Sequence, residues 1–192
     1  MLWAMSTCSL VVLPDPGSTL RADLVAALLA TSTPILDLAR VDAGPAPLAS
    51  AICAAIRDAR LAHPLLIIAT GAAMPLLPAV ARAQRAAHHL TCGYVLLGVD
   101  AKALEADPTG ESWPDAPVTL IEISVGEAAH DVHDLHDLHD VHDVHDGDDA
   151  DGTEVGGAVS SHARLRGWTV QTAQRPAALA RTLLALAADL AP

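Results

Sequence analysis

Residues 64–99, PLLIIATGAAMPLLPAVARAQRAAHHLTCGYVLLGV, decide the fold. Pro64–Thr70 is an unbroken apolar run with no polar alternation, the pattern of a strand buried on both faces. Gly71 ends it, and a helix is expected from about Pro75 to His88. Thr91–Val99 is a second strand of the same kind. A strand, a helix and another fully apolar strand in succession form the repeating unit of a parallel sheet covered by helices.

The same alternation extends in both directions. Upstream, Cys8–Leu13 reads as a strand closed by Pro14-Asp15-Pro16-Gly17, with Ser18 as N-cap of a helix reaching Leu29. Thr33–Leu38 is a second strand, and Ala46–Arg60 a helix with Ile52, Ala55, Ile56 and Ala59 along one face. Downstream, Pro117–Ser124 and Gly167–Gln171 are strands, and Arg175–Leu190 is a closing amphipathic helix. The expected fold is therefore α/β: a doubly wound, mainly parallel sheet of about six strands with helices on both faces. Residues 1–126 and 160–192 are expected to form one domain, interrupted by a low-complexity acidic loop at 127–159. Ligand sites in such folds lie beyond the carboxyl ends of the strands, which points to the loops near residues 14–18, 70–73, 99–102, 124–127 and 171–175.

Composition narrows the function. The chain has 192 residues, 52% of them hydrophobic, and a formal net charge of −12. That length suits one domain with a substantial core. Eleven of the 23 acidic residues fall between Glu127 and Glu154, leaving 12 acids against 11 bases elsewhere. A nearly neutral body with no Phe, one Tyr and three Trp offers neither the basic surface nor the stacking platform that nucleic acid requires, and no basic face for a membrane. No apolar run reaches the roughly 20 residues of a membrane-spanning helix. Cys8, Cys53 and Cys92 are odd in number, widely spaced and set in apolar stretches, so reduced buried thiols and a cytoplasmic location are expected. The start, MLWAMSTCSLVVLP, lacks a basic leader and is expected to enter the first strand rather than act as a signal peptide, with Met5 an alternative start.

The acidic tract carries six His-Asp pairs, beginning at His130, His133, His136, His139, His142 and His145, at a period of three. Imidazoles flanked by carboxylates are ligands for Zn²⁺ or Ni²⁺, and multi-site binding by these six histidines is one expectation. On an α-helix the same period would spiral the histidines around the axis by about 60° per step, so no common face results. The plainer reading is a solvated, disordered acidic insert running into the glycine-rich stretch 147–157.

The segment His63–Ala101 resembles the nucleophile region of the α/β-hydrolase superfamily: an apolar strand, a sharp turn of the form G-x-S-x-G, a helix, and a further strand ending in an acid. The ending GWTVQ with its following helix resembles the family's last strand and closing helix, and WPDAPVTLIEIS the strand before its acid. The resemblance covers most of the chain outside the His-Asp tract. It implies Thr70 in the nucleophile position, Glu127 as the acid, and backbone N–H groups of Gly17, Ser18 and Gly71 as oxyanion donors. Departures accompany it. Ile68 replaces a glycine of the turn, a β-branched threonine replaces serine, and no histidine lies between Gln171 and Arg175.

These departures favour a hydrolase-like protein with a degenerate triad, acting as a binding module for an unidentified small molecule or protein. The alternatives are an ester or thioester hydrolase using Thr70, with a base from His162 or the tract, and divalent-metal binding through the repeat. No cofactor is required by the leading reading. The Leu-rich final helix is expected to pack inside the domain, a homodimer edge being the other arrangement.

Overall fold

The computed structural model describes residues 8–39, 41, 47–98, 116–123, 163–164, 166–173 and 176–191. Its elements in chain order are β1 (Ser9–Val12), α1 (Thr19–Leu29), β2 (Ile35–Asp37), α2 (Leu48–Ala59), β3 (Leu65–Thr70), a 3-10 turn (Gly71–Leu76), α3 (Leu77–Ala86), β4 (Thr91–Leu97), β5 (Val118–Ile123), β6 (Thr169–Ala173) and α4 (Pro176–Asp189). The six strands form one sheet in the order β2-β1-β3-β4-β5-β6, and every pairing is parallel. This is the expected α/β architecture.

Period-two alternation splits each strand between two apolar layers. Leu65, Ile67 and Ala69 of β3 face Ile52 and Ile56 of α2 and Leu77 and Val80 of α3. Leu66 and Ile68 face the other way, toward Leu24 and Leu28 of α1 and Leu179 and Leu183 of α4. Because both faces are covered, all six residues of β3 are buried. The apolar run in the sequence has that cause.

The helix boundaries follow local chemistry. Ser18 caps α1, its side chain accepting from the Arg21 N–H at 3.2 Å. Helix α2 stops at Arg60, which adopts the left-handed conformation. The helix after Gly71 starts later than the sequence suggests, since Pro75 falls inside a 3-10 turn and the α-helix proper spans Leu77–Ala86. Strand β6 lies two residues further on than expected, because Gly167, at φ +74°, forms a turn and Trp168 is buried before the ladder begins.

One polar interaction ties the sheet at its carboxyl end. Arg21 of α1 is only 6% exposed. Its Nε donates to the carbonyl of Leu13, just beyond β1, at 2.8 Å, and its Nη2 donates to Asp37 Oδ1 at the end of β2. Asp37 Oδ1 also accepts from the Ala39 N–H at 3.0 Å. A buried guanidinium is tolerated only with its donors satisfied, and these partners meet that need. Among the described residues, no helix is long and apolar enough to cross a membrane.

Arg21→Met keeps the side-chain volume and removes both hydrogen bonds. It is expected to lower unfolding free energy by about 2 kcal/mol, read from urea denaturation at unchanged slope.

Candidate functional site

The strand order locates the site. From β1 the chain moves to β2 on one side, and then to β3, β4, β5 and β6 on the other, so the order reverses between β1 and β3. In doubly wound sheets the loops leaving the strands diverge at such a reversal, and ligands bind in the crevice outside the carboxyl ends there. Asp15–Ser18 follows β1 and Gly71 follows β3.

Side chains from the two loops meet across this crevice. Thr70, the last residue of β3, is 2% exposed, and its Oγ1 donates to Asp15 Oδ2 at 2.7 Å. Thr70 has extended backbone, φ −116° and ψ 153°. The left-handed residue of the turn is its neighbour Gly71, at φ +33°. In a nucleophile elbow the reacting side chain occupies the strained position, with small residues two places away on each side. Here that position is Gly71, and the residues two before and two after it are Ala69 and Ala73, both fully buried. The turn thus stands one residue later than the sequence suggests. Ile68, which disturbed the motif when Thr70 was its centre, is a core residue packed toward α1 and α4.

The space above Gly71 is occupied. A Cβ at this position would lie 2.8 Å from Asp15 Oδ2, closer than carbon and oxygen tolerate. The Asp15 carboxylate therefore fills the place where a side chain at position 71 would begin, and the hydrogen bond from Thr70 holds it there. Sequence reading missed Asp15 as a site residue; its signal was an acid in the first loop after a strand, at a position that the fold makes a crevice wall.

The expected oxyanion donors are differently employed. The Ser18 N–H donates to the Asp15 carbonyl at 3.2 Å, closing the turn, and the Ser18 hydroxyl caps α1. Gly17 has φ +98° and open space where a Cβ would stand. Gly71 provides the bend.

Glu127, His162 and the tract histidines His130, His133, His136, His139, His142 and His145 lie outside the described residues. Between the end of β6 at Ala173 and the start of α4 at Pro176 the chain has only Gln174 and Arg175. His63 and His89 pair their rings at 5.0 Å, but they precede β3 and β4 and so stand at the amino end of the sheet, away from the crevice. His89 Nδ1 is 2.8 Å from Gln84 Oε1, so the helix end engages it locally. Among the described residues, no group of three or more His, Cys, Asp or Glu side chains is arranged to hold a metal ion.

No family model and no curated protein matches the chain. Solved structures do. RedJ, a thioesterase from the prodiginine biosynthetic pathway in Streptomyces coelicolor, aligns over 95% of this chain and 90% of its own with a TM-score of 0.53 at 14% identity. The structure of RedJ with a polyethylene glycol molecule in its active site aligns over 97% and 92%, with a TM-score of 0.51 and 14% identity. The fold is that of the α/β hydrolases. At this identity the likeness is one of architecture.

Gly71→Ala adds a Cβ both to a left-handed backbone and into Asp15. It is expected to cost about 2 kcal/mol of stability. In an Asp15→Ala background the same substitution should cost less, the difference appearing as a coupling energy in a double-mutant cycle.

Proposed function

We propose that this chain uses an α/β-hydrolase scaffold to bind a small molecule or protein at the β1/β3 crevice and does not hydrolyse it. The observation that carries this reading is Gly71 at the left-handed position of the turn, a residue without a side chain where the chemistry needs a nucleophile. Two further features support it. The Asp15 carboxylate stands over that position, and the segment joining β6 to α4 contains no histidine. A turn with no nucleophilic side chain at its left-handed residue, and a last loop with no histidine, would have little means of acyl transfer.

A second reading has its own support. The Thr70 hydroxyl is 2.7 Å from a carboxylate, and the architecture is shared with a thioesterase. In that reading Thr70 attacks an ester or thioester carbonyl, and Asp15 accepts its proton. A carboxylate is a weak base for an alcohol, and Thr70 is buried, so this reading ranks second.

The test is hydrolysis of p-nitrophenyl acetate, p-nitrophenyl butyrate and a short acyl thioester by wild type and Thr70→Ala, each with and without EDTA, after both are shown to be folded. Rates no higher than buffer for both proteins are expected. Turnover that EDTA leaves intact and Thr70→Ala abolishes would establish the hydrolase instead.

A further inference from the structure

Cys8 leads into β1 and Cys92 is the second residue of β4. These strands are not neighbours; each pairs with β3. Both cysteines pack in the layer beneath α1 and α4, Cys8 fully buried and Cys92 partly so. A register shift brings them together. Thr91 lies opposite Leu65 and Gly93 opposite Leu66, which leaves Cys92 as an additional, unopposed residue in β4. Such a bulge re-aims its side chain. Here it directs Cys92 Sγ to within 2.9 Å of Cys8 Sγ, with the Leu65 carbonyl at 3.3 Å. Gly93, next in line, has no room for a side chain, its Cβ position being 2.9 Å from Leu190 Cδ1 and 3.2 Å from the Pro117 carbonyl. The geometry is thus held from both sides.

We infer that Cys8 and Cys92 form an oxidisable dithiol that a hydroperoxide converts to a disulfide, cross-linking β1 to β4 across the start of β3. A disulfide requires about 2.05 Å between sulfurs, so closure needs a movement of roughly 0.9 Å, within reach of side-chain rotation at a bulge. Cys92, the member with solvent contact, reacts first. Its thiolate attacks one peroxide oxygen, the S–O bond forms as the O–O bond breaks, and the departing hydroxide takes up a proton to become water. Cys8 sulfur then attacks Cys92 sulfur, forming the S–S bond and breaking the S–O bond. The hydroxide released takes the Cys8 proton and leaves as a second water. Two thiols are oxidised and one peroxide is reduced. Burial, followed by the contact with Cys8, pushes the Cys92 thiol above its ordinary range. The thiolate is scarce at neutral pH, so the reaction accelerates as pH rises. The 84-residue separation of the two cysteines encloses β1 through the start of β4, a long loop whose closure restricts the unfolded chain.

The experiment treats the reduced full-length protein with hydrogen peroxide at mildly alkaline pH, then quenches and denatures it without reductant. Free thiols are expected to fall from three to one, with the intact mass lower by two hydrogens and digestion yielding a linked Cys8–Cys92 peptide. Cys53→Ser should still form the link, whereas Cys8→Ser and Cys92→Ser should not. The oxidised protein should melt at a higher temperature than the reduced one, and dithiothreitol should reverse the difference. Three thiols remaining, oxygen added to Cys92 without a link, or a link through Cys53 would each overturn the inference. The Cys53→Ser variant keeps the test decisive if either of the other two fails to fold.

Discussion

Burial of β3 on both faces is the constraint on which the rest depends. Leu65–Thr70 is buried at every position and pairs in parallel with β1 on one side and β4 on the other. A strand with no wet face must have a helix layer above and below, which is why α1 and α4 occupy one side and α2 and α3 the other. Parallel pairing then places all the strand ends in one rim. The turn after β3 must bring a helix back against the sheet immediately, and Ala69 and Ala73 are small enough to permit that approach.

At the rim, the reversal of strand order between β1 and β3 creates the crevice, and two polar groups shape it. Arg21 fixes the end of β1 to the end of β2 through Leu13 and Asp37, so the loop after β1 leaves from a rigid platform. Asp15 then crosses from that loop to Thr70 at the end of β3. The ends of β1 and β3 are therefore bridged by a hydrogen bond between residues 55 apart in sequence, directly over Gly71.

The architecture was legible because its strands are buried on both faces, so PLLIIAT and YVLLGV are short continuous apolar runs alternating with helical segments. Ser18 as N-cap was legible too, since capping is a local interaction. Strand β6 was displaced by two residues because it lies at the sheet's edge, where Gln171 and Thr172 are tolerated and the apolar signal thins. For a different reason, the conformation of the turn after β3 was not legible. A search for a hydroxyl fixes on Thr70, whereas the backbone chooses the residue that can turn left-handed, which is the glycine beside it. The partnership of Asp15 with Thr70, and of Cys8 with Cys92, left no local trace, because each depends on strand order and the second also on a bulge.

The proposed loss of catalysis differs from the loss of a single residue. A serine placed at Gly71 would bring its Cβ to 2.8 Å from Asp15 Oδ2, so the carboxylate would have to turn away and give up its hydrogen bond from Thr70. On that proposal, a side chain at position 71 and a rearranged Asp15 would both be required before the turn could present a nucleophile. On the proposed binding reading, Asp15 is the group at this turn that would accept a hydrogen bond from a ligand, in place of the one it now accepts from Thr70.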